Sequence, residues 1–281
     1  MAAVTTADLD RLLDDDVPYG DLTTEALGIG AQGGVMEFSA RDSMVLALAE
    51  DAAALLRLCG CEVELIACSG DRLAAGAPIL VARGVASGLL RGWKVAQTLI
   101  EIWSGVATAT REIVDAARAV TPGIAIACTR KNTPGTKRFA VAALKAGGAG
   151  MHRLGLSETI LVFAEHRAFL DEPLAATVAR LRGTAPEKKL IVEVSSVDAA
   201  LAAAEAGFDV LQLEKFAPAD VAAVVTHLAA TPLRPIIAAA GGVNASNAAA
   251  YAQAGADVLV TSAPYMAKPR DVQVRIARDS K

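Results

Sequence analysis

The chain has 281 residues, a formal net charge of −4, 53% hydrophobic residues and only 4% aromatic ones. A core of Ala, Val and Leu on that scale fits packed α/β layers and excludes a disordered or fibrous chain. The acidic balance argues against nucleic acid as the main partner, and no apolar stretch reaches the ~18 residues of a membrane span.

The opening MAAVTTADLDRLLDDD lacks the basic start and apolar core of a secretory leader, so a cytoplasmic protein is expected. Cys59, Cys61, Cys68 and Cys128 show no metal-site spacing and read as reduced, mostly buried thiols. Thr5 to Asp14 reads as a short helix with Thr6 as its cap, broken by Val17-Pro18-Tyr19-Gly20-Asp21. Strand-like runs follow at Gly34–Ala40, Cys61–Cys68 and Ile79–Val85, with helical spacing over Leu46–Leu58. To about Ser87 this is a small α+β layer; from Leu89 towards Ala119 the pattern is helical.

The rhythm then becomes regular. Strands are predicted at Ile124–Cys128, Thr159–Phe163, Leu190–Val194, Val210–Leu213, Pro235–Ala239 and Val258–Thr261. Helices are predicted between them at Arg138–Ala146, Leu174–Leu181, Val197–Ala206, Ala219–Leu228 and Ala245–Ala254. Such alternation means βαβ units and a parallel sheet. Polar residues recur where these strands end: Arg130 and Lys131, Glu165 and His166, Glu193, Glu214 and Lys215, Gly241 and Gly242, Ser262. In a βα-barrel the carboxyl ends of the strands build the active site, so the recurrence points to a barrel with a site there.

Arg130 and Lys131 precede one predicted helix and His152 and Arg153 follow it, each pair beside Gly or Pro turn chemistry. Arg grips phosphate or carboxylate bidentately and Lys acts as a point charge, so the four residues suit an anionic ligand. His152 beside an arginine reads as an anion contact rather than a general base. Gly241-Gly242-Val243-Asn244, between a strand and a helix, reads as a phosphate turn, with Ser262 at the next strand end. Glu193 and Glu214 end neighbouring strands. Two roles stay open for them: holding Mg²⁺ against a diphosphate or facing positive charge on a sugar, or forming buried salt bridges with Lys131 or Arg153. Phosphoribosyl transfer suits this set, with Lys131, Glu193 and Glu214 as its catalytic candidates.

Several blocks carry a resemblance. DVPYGDLTT near the start, SGVATAT at Ser104–Thr110, TRKNTPGTK, GGAGMHRLGLSE, VEV at Val192–Val194 and AAGGVN at Ala239–Asn244 resemble the quinolinate phosphoribosyltransferase (nicotinate-nucleotide pyrophosphorylase) family, in order over nearly the whole chain. The resemblance implies an N-terminal α/β sandwich domain over 1–103 and a C-terminal open parallel α/β barrel over 104–281, the type II phosphoribosyltransferase architecture. It allows the chain's end to return to the first domain. It also implies Mg²⁺ with phosphoribosyl pyrophosphate as co-substrate, and a homodimer whose sites are completed by the partner's N-terminal domain.

Arg130, Lys131, His152 and Arg153 match the family's anion-binding residues, and Glu193 its barrel glutamate. Glu214 stands where the family has aspartate, Lys94 where it offers an arginine across the dimer, and Thr98 where it has asparagine. Phe163 stands where the family uses a substrate-binding lysine, and Ala238 where it has glutamate. These departures resemble the molybdenum-transport-associated, ModD-type pyrophosphorylase-like group. Together they imply an acceptor less anionic than quinolinate. The alternatives are a true quinolinate phosphoribosyltransferase of NAD synthesis, a non-catalytic anion-binding protein linked to molybdate transport, and another phosphate-binding barrel enzyme; the TRK and HR blocks oppose the last.

Overall fold

The computed structural model describes residues 4–231 and 234–279. Its first half holds α1 (Thr6–Asp16), α2 (Leu22–Ala26), β1 (Gly33–Ala40), β2 (Met44–Val45), α3 (Ala49–Leu58), β3 (Glu62–Leu65), β4 (Arg72–Leu73), β5 (Pro78–Val85) and the 33-residue α4 (Ala86–Arg118). Next come β6 (Ala125–Cys128), α5 (Lys137–Ala146), β7 (Gly150–Met151), β8 (Ile160–Val162), α6 (Ala164–Arg167), α7 (Leu174–Thr184), β9 (Leu190–Val194) and α8 (Val197–Glu205). The chain closes with β10 (Val210–Glu214), α9 (Pro218–Leu228), β11 (Ile236–Ala240), α10 (Ala248–Gln253), β12 (Val258–Thr261) and β13 (Val272–Arg278). None of the described helices is long and apolar enough to cross a membrane.

Two compact units share these elements. One comprises residues 1–111, 133–148 and 264–281; the other comprises 112–132 and 149–263. The two units interleave along the chain.

The first unit is built on an antiparallel sheet of order β13-β1-β5-β3. Along β1 the side chains of Met36, Phe38 and Ala40 are buried while alternate residues face outward, the period-2 signature of a half-covered strand. Helix α1 is capped by Thr5, one residue before the expected cap. The Thr5 hydroxyl accepts from the Asp8 amide at 3.3 Å and the Asp8 carboxylate accepts from the Thr5 amide at 2.9 Å. Strand β13 lies outside the predicted elements. It pairs with β1 from Gly34↔Arg278 to Ala40↔Val272. The alternation of Val272, Val274 and Ile276 against Gln273 and Arg275 is its sequence signal.

The second unit is built on a seven-stranded sheet of order β7-β6-β12-β11-β10-β9-β8, parallel in every recorded pairing. β7 and β8 stand at opposite edges, so this is an open, curled barrel rather than a closed one. All six strands predicted here form, within one or two residues at each end. The two-residue β7 escapes a periodicity reading because two residues cannot show a period. Leu161, Ile191, Val210, Ala238, Ala240 and Val260 pack together on the concave face, with Phe163, Ile236 and Val258 against them. Burying this apolar layer is what holds the strand ends, and so the site, in one place.

Candidate active site

Register alone brings the two cationic pairs together. β6 and β7 pair in parallel with Cys128↔Met151, and the His152 amide donates to the Cys128 carbonyl at 2.8 Å. The chain leaves both strands side by side, so Thr129-Arg130-Lys131 emerges beside His152-Arg153. On the other flank Thr261 is the partner of Cys128, and the Thr129 amide donates to the Thr261 carbonyl at 2.9 Å, placing Ser262 next in line. All of these end at a cavity of about 850 Å³.

That cavity is lined by Arg130, Lys131, His152, Arg153, Phe163, Glu193, Glu214, Gly241, Gly242, Asn244 and Ser262, every predicted site residue except Lys94. Lys94 lies on α4 in the other unit. Its ammonium sits 4.3 Å from the Trp93 ring centroid and donates to Gln97 Oε1 at 3.1 Å, beside a second cavity of about 420 Å³ that also borders Asp15, Asp16 and Thr98.

The electrostatics are unbalanced in a specific way. Among the described residues, no carboxylate lies within ion-pair distance of Arg130, Lys131 or Arg153, and Glu193 and Glu214 form no salt bridge. The salt-bridge alternative for the two glutamates therefore fails. Arg153 is 5% exposed, and burial, with Arg130 nearby, pulls its guanidinium below the usual arginine range. Burial lowers His152 as well, with Arg153 adding to the effect and Glu158 opposing it, so the imidazole is held neutral. Burial raises the Glu193 carboxyl, Glu214 and Glu165 add to the rise, and Gln212 and Lys131 oppose it. Cations and acids thus face one space without neutralising each other, an arrangement suited to a ligand carrying both negative charge and a centre of developing positive charge.

Three features of the cavity were invisible or underread in the sequence. Gln212 hides inside the predicted strand Val210–Leu213, yet it lines the cavity and its Nε2 donates to Glu193 Oε2 at 2.7 Å. In the sequence Lys215 reads only as a polar strand end. It holds a left-handed backbone (φ 59°), and its amide donates to the Ala240 carbonyl at 2.8 Å. Phe163 is tied into the cavity wall by three contacts. Its amide donates to His166 Nδ1 at 3.0 Å, its ring stacks on His166 with centroids 5.7 Å apart, and the Arg153 guanidinium lies 5.6 Å from its centroid.

The glycine turn also differs from expectation. Gly241 and Gly242 have φ of +82° and +94°, and a β-carbon on Gly241 would stand 2.7 Å from the Lys215 amide nitrogen and 2.8 Å from Glu214 Oε1. The following helix was predicted from Ala245 but begins at Ala248 and has six residues. Asn244 is the reason: its Oδ1 accepts from the Ser246 amide at 2.9 Å and the Ser246 hydroxyl at 2.6 Å, a local turn that competes with helix initiation. Asn244 Nδ2 and Asn247 Nδ2 both donate to the Gly242 carbonyl at 3.0 Å, so Asn244 braces the turn from within.

Comparison with known proteins places the arrangement. The C-terminal domain of quinolinate phosphoribosyl transferase matches residues 106–275, and its N-terminal domain matches 21–104. The chain is 50% identical over 245 residues to a protein of Rhodobacter capsulatus named "Putative pyrophosphorylase ModD", covering 87% of this chain and 94% of that one. It is 34% identical over 247 residues to a "Probable nicotinate-nucleotide pyrophosphorylase (carboxylating)" of Methanothermobacter thermautotrophicus, covering 87% and 88%. The crystal structure of NadC from Streptococcus pyogenes superimposes with a TM-score of 0.90 at 25% identity, covering the whole of both chains. A phosphate-suited cavity at the strand ends of an open barrel, with both domain descriptions matched in sequence order, makes this chain a phosphoribosyltransferase of the quinolinate phosphoribosyl transferase family.

Proposed function

We propose that the enzyme transfers ribose 5-phosphate from phosphoribosyl pyrophosphate to an aromatic or heterocyclic acceptor carrying less negative charge than quinolinate. In that reaction a bond forms between an acceptor nitrogen and the ribose C1 while the C1–oxygen bond to pyrophosphate breaks. Pyrophosphate leaves with the bonding electron pair. Arg130, Lys131 and Arg153 hold the anionic groups, with His152 as a neutral contact beside them. Glu193 and Glu214 face the ribose as positive charge builds on it, and the Gly241–Gly242 turn receives the 5′-phosphate with Ser262 beside it.

Glu193 and Glu214 also suit Mg²⁺: Glu214 helps to keep the Glu193 carboxyl raised, a repulsion that a cation relieves. An ion held by these two carboxylates would complete its coordination with oxygens of the substrate's diphosphate. Such an ion would neutralise charge on the departing pyrophosphate. In a homodimer, Lys94 would be offered to the partner's acceptor site.

The observation that carries the reading is Phe163 on the cavity wall, with Arg153 stacked over its ring. An aromatic ring there cannot pair with a second carboxylate, and loss of a buried charged partner costs roughly 2–5 kcal/mol. Pyrophosphate release measured with quinolinate against a panel of aromatic monoacids and neutral heterocycles tests it. Faster turnover of a monoacid or neutral acceptor is expected, and efficient quinolinate turnover overturns it. The relative named as carboxylating nicotinate-nucleotide pyrophosphorylase, 34% identical, supports quinolinate as the second reading.

A further inference from the structure

Strand register puts four side chains at one level of the concave face. Gln212 on β10 is the partner of Glu193 on β9 and of Ala238 on β11. Phe163, one residue past the pair Val162↔Val192, reaches the same level. Gln212 thus stands between a carboxylate and a methyl group. It is 5% exposed and borders the cavity. Its Nε2 is committed to Glu193, since only the amide nitrogen can donate to a carboxylate. Its Oε1 is left buried with no hydrogen-bond partner, because the neighbour on the other side is Ala238, which offers neither donor nor acceptor.

A buried acceptor without a donor is unfavourable, and native structures retain such groups where something else satisfies them. We infer that Gln212 is a specificity-determining residue, whose Oε1 accepts a hydrogen bond from an N–H or O–H group on an acceptor substrate lying against the Gln212 side of the cavity. This rests on the phosphoribosyl-transfer reading above and sharpens it: the acceptor carries a hydrogen-bond donor. Glu193 fixes the direction of the amide, and Phe163, clamped by Arg153 and His166, supplies the apolar wall along which an aromatic ring would lie. A site built around a lone acceptor rejects ligands lacking the donor, because its oxygen then stays unpaired.

The test uses pyridine monocarboxylates bearing either an amino group or, at the same ring position, a methyl group of matching size. Their affinities are measured by calorimetry on the full chain and on Gln212→Met, with binding of phosphoribosyl pyrophosphate measured alongside. At one ring position the native chain should prefer the amino member by roughly 10- to 100-fold, and Gln212→Met should bring that ratio close to one. Absence of a preference at every position overturns the inference, as does a preference that survives in the variant. If the native chain fails to bind phosphoribosyl pyrophosphate, the transferase reading fails instead; if it binds it with no amino preference, only the role of Gln212 fails.

Discussion

Arg153 is the cation whose placement costs most. It is buried beside Arg130, and among the described residues no carboxylate pairs with it. Such a group is kept for what it binds, so Arg153→Met should raise the stability of the ligand-free protein by roughly 1 kcal/mol while weakening phosphoribosyl pyrophosphate binding. Thermal melts with and without ligand read both effects; a variant that is less stable and binds normally would contradict them. His152 gives a pH signature. Its pKa in the folded chain lies below the ordinary value of about 6.5, so the unfolded chain takes up the proton first as pH falls. Its contribution to stability is therefore intact above that value and is lost as pH drops through it towards the folded pKa. His152→Gln should lose less melting temperature than the native chain between neutral and mildly acid pH; parallel curves would refute this. Cysteine chemistry follows burial. Cys61 is pushed up to about 11 and Cys128 to about 12, whereas Cys68 is exposed. An alkylating reagent at mildly alkaline pH should mark Cys68 first and leave Cys128 untouched, as peptide mass spectrometry would show. Arg130, Lys131, Glu193 and Glu214 are legible in the sequence as polar residues at the ends of apolar runs, and His152 and Arg153 as a basic pair after a glycine turn. Gln212 is not, since one polar residue inside Val210–Leu213 does not disturb a strand pattern.

At the scale of elements, the turn after β11 joins fold to site. Gly241 has no room for a side chain: a β-carbon would press on the backbone of Lys215, and φ of +82° is strained for any other residue. Gly241→Ala should cost roughly 1–3 kcal/mol in denaturant unfolding and remove phosphate affinity with it; a variant of native stability would show that the turn can move aside. The elements read correctly are those long enough to show a period, such as β9 and β12, whose residues match the prediction at both ends. Those misread have local causes. The Asn244–Ser246 turn delays α10, and β7 is two residues long. β13 shows alternation on one face only, and its pairing with β1 joins residues more than two hundred apart, which no local pattern reports.

At the scale of the molecule, an acidic chain of net charge −4 gathers unpaired arginines and carboxylates round one cavity. Bulk charge argues against nucleic acid as the main partner, while the strand ends offer a small anion cationic side chains at one place. The family is readable from motifs along the chain, and the acceptor is not, because residues such as Gln212 and Glu193 meet only as register partners in the folded sheet. The decisive measurement is calorimetric titration of phosphoribosyl pyrophosphate, with Mg²⁺ present, into the native chain and Arg130→Ala. One site per chain is expected in the native protein, with a loss of affinity worth about 2–5 kcal/mol in the variant. Absence of binding to the native protein, or equal affinity in both, would contradict it.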